Sequence, residues 1–149
     1  MSVIDTNISD ISFNEKITNL KLRHLEGNQL LTLVSSLEEF PASLPLVAEI
    51  DLFNIKADHK YQIQVLSRGE TQLDEQLIHV TNVFIPRQEF VIYKENYGFT
   101  SGNFSFNLTA KKGGDYRISF RFYDVKLQKV LDEIHQYIYL NKEAPNNAR

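Results

Sequence analysis

Strict alternation of apolar and polar side chains between residues 103 and 123 constrains the fold more than any other feature. Apolar residues occupy every second position on both sides of a short basic, glycine-rich segment: Phe104, Phe106, Leu108 and Ala110, then Tyr116, Ile118, Phe120 and Phe122. Because successive side chains of a β-strand point to opposite faces of its sheet, this period of two predicts two strands that each bury one face. The chain is therefore expected to be built from half-buried strands.

The same alternation recurs elsewhere in the chain. It is clear at Tyr61, Ile63 and Val65, and weaker strand candidates follow in the segments 30–35, 47–55, 73–81, 83–85 and 89–93. Seven to nine strands with short connections predict an all-β fold, an antiparallel β-sandwich that is jelly-roll-like or immunoglobulin-like and has at most one short helix. The two prolines of segment 38–46 predict a loop between the sheets.

Two segments fit either a helix or a strand. In 12–25, Ser12 and Glu15 have the spacing of a helical capping box, whereas the alternation that begins at Leu20 favours a strand over 17–25. In 126–138, apolar residues at helical spacing compete with an alternating pattern that continues to Leu140. We favour strands in both places, the second one over 130–140 after a turn at 126–129.

The segment Lys111-Lys112-Gly113-Gly114 raises the question of a phosphate-binding loop. A P-loop leads through glycines to a lysine and into a helix, whereas here the glycines follow the lysines and lead into a strand. The even-numbered apolar residues on both sides predict a hairpin with a loop of odd length instead, in which Phe104 pairs with Phe122 and Phe106 with Phe120. Gly114 is the predicted left-handed residue of that loop.

Length and composition predict a single domain over 1–149, with ends at 1–12 and 141–149 that fray. Hydrophobic residues make up 42% of the chain, enough for a core, and the absence of cysteine excludes disulfides and zinc–thiolate sites. A net charge of −3 favours neither nucleic acid nor an anionic membrane as a partner. Because no signal peptide and no membrane-spanning apolar run is present, we expect a soluble, cytoplasmic protein.

The sequence predicts no catalytic residue, no cofactor and no metal. The four histidines are isolated, no His-x-His pair of the cupin type is present, and the Gly-x-Ser-x-Gly elbow of serine hydrolases is missing. Glu133 and His135 share one face of the predicted final strand, which makes a two-ligand fragment at most. A metal-dependent jelly-roll enzyme is therefore the weakest of the three functions that we consider.

Five residues form a candidate binding surface. His135, Tyr137 and Tyr139 share one face of the predicted final strand, and exposed tyrosines either anchor a protein partner or stack on sugar rings. Arg117 and Arg121 lie on the polar face of the predicted hairpin, opposite three small polar residues, Ser105, Asn107 and Thr109. There they would bind an anion or an acidic partner, or would keep a solvated sheet from pairing at its edge.

The strand pattern and turn placement between about Leu20 and Leu140, including "GNQLLTLVSS", "HKYQIQVLSRGE" and "GDYRISFRFYD", resemble small bacterial β-sandwich proteins of uncharacterised function. The resemblance implies a fold and brings no activity with it. The sequence as a whole predicts a non-catalytic binding or assembly module that contacts another protein or itself as a homo-oligomer. A carbohydrate-binding sandwich that uses Tyr137 and Tyr139 is the first alternative.

Overall fold

Nine β-strands make up most of the computed structural model, which describes residues 13–143. The strands are β1 (Lys16–His24), β2 (Val34–Leu37), β3 (Ala42–Ile55), β4 (Tyr61–Gly69), β5 (Gln76–Val83), β6 (Ile92–Lys94), β7 (Tyr97–Ala110), β8 (Gly114–Asp124) and β9 (Lys129–Lys142). They form a four-stranded sheet in the order β1-β3-β7-β6 and a five-stranded sheet in the order β2-β9-β8-β4-β5. Neighbouring strands are antiparallel except β2 and β9, which pair in parallel.

The predicted all-β sandwich is therefore confirmed, and the one helical element of the described residues is a short 3₁₀ turn, Arg87–Glu89. Both ambiguous segments are strands, β1 and β9, as the alternation favoured. The predicted frayed segment 1–12 and residues 144–149 lie outside the described residues, while β9 extends to Lys142. No helix of the described residues has the length and apolar character needed to span a membrane.

The inner faces of the two sheets meet in one apolar core. Its fully buried side chains come from both sheets and include Leu46, Ile55, Ile63, Val65, Leu108, Ile118, Phe120, Phe122 and Leu140. In β8 the apolar residues at even positions from Tyr116 to Phe122 are buried, and in β7 Phe106, Leu108 and Ala110 are buried while Phe104 is half-buried. The faces that the alternation assigned to the core are therefore correct.

β7 and β8 do not pair with each other, so the predicted hairpin is wrong. β7 lies beside β3, where Ala110 is opposite Ala42 and Phe106 is opposite Leu46, whereas β8 lies between β4 and β9. Residues 111–113 carry the chain from one sheet to the other. Alternation specifies the face that a strand buries, and two strands that face each other across a core satisfy it as well as two neighbours do.

The two glycines of this crossing have structural reasons to be glycine. Gly114 has a positive φ of 138°, which agrees with the left-handed backbone expected for it. A Cβ atom at Gly113 would lie 2.8 Å from the carbonyl oxygen of Leu140, a distance that would force the backbone apart. The glycine pair therefore allows the chain to turn closely past the end of β9.

The loop between the sheets that the prolines predicted over 38–46 spans only residues 38–41, between β2 and β3, because β3 already begins at Ala42. The backbone of Pro45 faces the β1 side of β3, where its carbonyl oxygen accepts from the N–H of Leu25. The pairing of β1 with β3 ends at His24, just before this point. Proline is therefore tolerated here, because the N–H that it lacks would lie beyond the end of that pairing. The weaker strand candidates shift by a few residues: 30–35 becomes β2, 83–85 contributes only the end of β5, and 89–93 contributes β6.

One end of the sandwich is closed by buried polar side chains. Asp124 is fully buried, and its carboxylate contacts the His59 ring at 2.9 Å and accepts from the N–H of Leu127 at 3.0 Å. The neighbouring Tyr61 hydroxyl donates to Glu15 at 3.0 Å and accepts from a backbone N–H at 2.9 Å, and burial raises the pKa of Tyr61. The partner of His59 is Asp124 rather than Asp58, which adjoins it in sequence.

Candidate binding surface

All five residues of the predicted binding surface lie on the outer face of the five-stranded sheet. The β8–β9 register places Arg117 beside Tyr137, Ser119 beside His135 and Arg121 beside Glu133. Tyr139 follows on the same face of β9. The arginines are therefore neighbours of the tyrosines rather than of Ser105, Asn107 and Thr109, which lie on the outer face of the other sheet, so the predicted placement of the arginines is corrected.

Glu75, from the loop between β4 and β5, joins the two arginines. Its Oε1 accepts from Arg121 Nη2 at 2.9 Å, and its Oε2 lies 3.2 Å from Arg117 Nη2 and accepts from the Ser119 hydroxyl at 3.1 Å. Arg121 also donates from Nε to Glu133 at 3.1 Å. Sequence reasoning missed Glu75 because nothing in the local pattern shows that a loop residue folds back onto the centre of a sheet.

This network neutralises itself. Two guanidinium groups face two carboxylates, and the partially buried pairs hold four side chains in one arrangement. Burial lowers the pKa of Arg117, but Tyr137 and Glu75 outweigh this effect and the pKa of Arg117 is raised overall, so the charge is retained. The arginines thus order the surface, and their charge is already balanced by the protein itself.

Two further hydrogen bonds fix the loop that carries Glu75 to the sheet. Arg68 Nε donates to the carbonyl of Gln72 at 2.8 Å, and the N–H of Glu70 donates to the carbonyl of Asp115 at 3.0 Å. Leu66, on the outer side of β4, is buried although it does not belong to the central core. The loop 70–75 therefore packs on the outer face and covers part of it.

Replacing Glu75 by alanine is expected to lower the free energy of unfolding by about 1–3 kcal/mol, because Arg117 and the buried Ser119 hydroxyl lose this acceptor and Arg121 keeps only Glu133. Urea denaturation of the purified protein measures the change. The matched control is Asp74→Ala, which removes the same charge from an exposed neighbour and should change stability by no more than about 0.5 kcal/mol. Equal effects of the two substitutions would contradict an anchoring role of Glu75.

Ser119, His135 and Glu133 have the residue types of a hydrolytic triad, and their contacts need a separate explanation. The Ser119 hydroxyl lies 2.8 Å from His135 Nδ1, and His135 Nε2 lies 3.4 Å from Glu133. However, Ser119 is completely buried and its hydroxyl proton is directed to Glu75. A nucleophile must reach its substrate, so this serine links the network and does not attack a bound molecule.

Glu133 and His135 remain a two-ligand fragment in the structure. Within residues 13–143, no group of three or more histidine, aspartate or glutamate side chains is arranged to hold a metal ion. A structural or catalytic zinc site needs three or four protein ligands.

Leu33, Tyr137 and Tyr139 are exposed apolar side chains near the β2 edge of this face, and we call these three residues the tyrosine strip. Their exposed fractions are 76%, 62% and 45%, and the N–H of Tyr139 donates to the carbonyl of Leu33 at 2.8 Å. Two depressions flank Tyr137. One of about 150 Å³ is lined by Arg68, Glu70, Asp115 and Arg117, and the other, of about 310 Å³, is lined by Leu33, Tyr116, Ile138 and Tyr139.

A second surface, a polar groove of about 610 Å³, crosses the outer face of the four-stranded sheet. Its central Asp51 accepts from the Ser101 hydroxyl at 2.7 Å and from the Asn19 amide at 2.8 Å, and these two hydrogen bonds lower the pKa of Asp51. Asn19 reaches it from a bulge in β1 with a positive φ of 52°. Sequence reasoning missed the groove since the bulge has no local signal.

No protein-family model matches the sequence, and no curated protein matches it. Among solved structures the chain is similar to a bacterial adhesin from Mobiluncus mulieris that contains intramolecular disulfide, isopeptide and ester-bond cross-links. The TM-scores are 0.57 and 0.58 in two crystal forms, and the identity is 6%. The similarity covers 87% of this chain and 58% of the adhesin. The C-terminal domain of wzt is similar with a TM-score of 0.44, 17% identity, and coverage of 89% of this chain and 75% of that one.

The adhesin comparison shows a shared fold. The chain spans 58% of the length of that adhesin, and its lack of cysteine leaves no counterpart for the disulfide named there. The protein is therefore a β-sandwich with the fold of a bacterial adhesin structure.

Proposed function

We propose that the protein is a non-catalytic binding module that holds another protein on the tyrosine strip of its five-stranded sheet. The observation that carries the proposal is the exposure of Leu33, Tyr137 and Tyr139 beside a network of paired arginines. Tyrosine and arginine dominate the energetics of protein interfaces, and an aliphatic neighbour adds apolar area.

Order in the free protein supports this choice. The side chain of Arg117 is already fixed by Glu75, and Tyr137 lies beside it in the strand register, so less rotamer freedom is lost when a partner binds. The strip lies on regular strands rather than on a loop, which keeps its residues at fixed spacings. A partner with a complementary apolar ridge and a polar rim would fit this surface.

The proposal predicts that a partner captured from a native lysate by the wild-type protein is lost with Tyr137→Ala. Truncation of a central interface residue costs at least about 2 kcal/mol, roughly a thirty-fold loss of affinity. The matched control is Tyr97→Ala, which removes an exposed tyrosine from the other sheet. Capture that is equally strong with both variants, or that is absent with the wild-type protein, would contradict the proposal.

A carbohydrate ligand is the second candidate function, and the smaller depression beside Tyr137 favours it. That depression places ionised and backbone groups next to an exposed aromatic ring, and the Nε of Arg117 is buried without a hydrogen-bond partner among the described residues. Sugars are held by aromatic stacking together with hydrogen bonds to hydroxyl groups.

A glycan array separates this candidate from the first. Saturable sugar binding should survive Tyr137→Phe, which keeps the ring, and should fall at least about tenfold with Tyr137→Ala, since stacking on the ring face is lost. Absence of binding by the wild-type protein to every sugar at millimolar concentration would exclude the carbohydrate function.

A further inference from the structure

A long stretch of β7 has an unpaired edge. β7 pairs with β3 along almost its whole length, but on its other side β6 covers only residues 97–99. The N–H of Val91 donates to the carbonyl of Phe99, so Phe99 turns its backbone groups away from β3. Backbone groups alternate between the two edges of a strand. Among the described residues, the free groups are therefore those of the odd-numbered positions Ser101, Asn103, Ser105, Asn107 and Thr109.

This edge also lacks the features that keep edge strands from pairing. The fourteen residues of β7 contain neither a charged residue nor proline. The other edge strands in residues 13–143 each have a feature that hinders pairing with another chain. β1 carries three basic residues and a bulge, and β5 has a bulge. β2 and β6 are short, with four and three residues. Proteins use charges, bulges and short strands to prevent edge-to-edge association, and β7 uses none of them over 101–110.

The side of the sandwich next to this edge is open. An apolar cleft of about 200 Å³ lies between β5 and β7 and is lined by Ile63, Val83 and Phe104, among others. Phe104 is only half-buried there, stacked on His79 at a ring distance of 5.3 Å. An added strand with apolar residues on its inner side would cover the cleft.

We propose that the occupant of this edge is a second copy of the same chain, paired antiparallel through β7. The free odd-numbered groups are self-complementary about Ser105: Ser105 meets Ser105 of the second copy, Asn103 meets Asn107, and Ser101 meets Thr109. This register places Phe104 beside Phe106 of the second copy, on the side of the cleft. It forms about ten backbone hydrogen bonds, two for each of the five facing pairs.

Charge argues for a second copy over an unrelated strand. Pairing two copies about a two-fold axis brings the residues near that axis close to their own equivalents, so a charge there would repel itself. β7 has no charge to repel, and the first lysine follows only at position 111. β6 of each copy borders only residues 97–99 of its own β7. The β7 strand of the second copy ends at Ala110, before it would reach β6, so β6 does not obstruct the pairing.

Light scattering on a size-exclusion column tests the proposal with the full chain. The wild-type protein should show twice the 17.3 kDa chain mass and dissociate on dilution. Ser105→Lys places two ammonium groups at the two-fold axis and should weaken the dimer by at least about tenfold. A thermal melt of the variant confirms that it is folded, and Ser105→Pro provides a second block, since the N–H that it removes faces the free edge.

Cysteine cross-linking fixes the register, because the native chain has no cysteine. Ser105→Cys should form a covalent dimer on mild oxidation, since directly opposite residues lie within disulfide reach. Thr109→Cys, on the same face of the same strand, should not, because its equivalent is about eight residues away along the paired strands, roughly 26 Å.

A wild-type protein that remains at the monomer mass would overturn the proposal, as would a dimer that is unaffected by Ser105→Lys or that cross-links equally at both positions. The tyrosine strip lies on the other sheet, so this result does not depend on the protein-binding function proposed above.

Discussion

Replacing Asp124 by alanine is expected to lower the free energy of unfolding at pH 7 by about 1–3 kcal/mol for each group that loses its buried acceptor. Asp124 is fully buried, and its two oxygens accept from the Leu127 N–H and contact the His59 ring. Truncation removes this partner from the Leu127 N–H, in the turn that joins β8 and β9, and from the His59 ring, in the connection between β3 and β4. The loss of a buried acceptor costs more than the pair itself contributes.

Acid should reduce the effect of this substitution. Burial would raise the pKa of Asp124, but the Leu127 N–H and His59 outweigh it and hold the pKa below the ordinary value of 3.8. A group whose pKa is depressed in the folded state stabilises the protein fully above its unfolded pKa, and this contribution is lost as the pH falls through the folded value. The difference between the wild-type protein and an Asp124→Ala or Asp124→Asn variant should therefore stay constant from pH 7 to about pH 4 and shrink as the pH falls further.

Urea denaturation at several pH values measures both effects. Asp58→Asn is the matched control, because Asp58 is exposed, adjoins His59 in sequence, and has a positive φ of 53° that asparagine tolerates. The control should change stability by no more than about 0.5 kcal/mol at any pH. A loss with Asp58→Asn as large as with Asp124→Asn, or a difference for Asp124 that grows in acid, would contradict the assigned role.

The sequence alone was sufficient to assign buried faces. The apolar residues of β8 at even positions from Tyr116 to Phe122 are buried as the alternation predicts, and the alternation correctly favoured a strand over a helix at Leu20 and at Leu140. These assignments depend on the local geometry of a strand, which repeats every two residues whatever lies beside it. Local pattern thus determines element type and orientation.

Strand neighbours could not be assigned in the same way. The hairpin between β7 and β8 was the simplest connection of two alternating strands with a short glycine-containing link. The chain instead crosses between sheets at Gly113, which is determined by contacts with distant residues such as Leu140. Similarly, Pro45 lies within a strand because β1 ends beside it, and β1 is more than twenty residues away in sequence.

In the candidate surface, too, some residues follow from the local pattern and others only from contacts between distant parts of the chain. His135, Tyr137 and Tyr139 were placed together from one strand, and the register of β8 with β9 adds Arg117 and Arg121. Two contributors came from loops and were missed: Glu75, which pairs with both arginines, and Leu33, which completes the tyrosine strip. Loop residues lack periodicity, so their positions on a sheet follow only from tertiary packing.

Phe120→Ala should also lower the free energy of unfolding by about 3–5 kcal/mol, because it removes a fully buried ring from the centre of the core and leaves a cavity. The ring of Phe120 meets that of Phe106 edge to face at a centroid distance of 5.9 Å, across the interface between the sheets. Denaturation with urea measures the loss, and Phe120→Leu should show a smaller one.

A pair of double-mutant cycles tests the sheet assignment of β7 and β8. With leucine substitutions, Phe106 and Phe120 should show a coupling energy of about 0.5–1.5 kcal/mol, the usual range for aromatic pairs in contact. Phe104 and Phe122 should be additive within about 0.5 kcal/mol, because Phe104 stacks on His79 and Phe122 stacks on Tyr61. A β7–β8 hairpin would make both pairs cross-strand neighbours, so comparable coupling in the two cycles would contradict the crossing between sheets at residues 111–113.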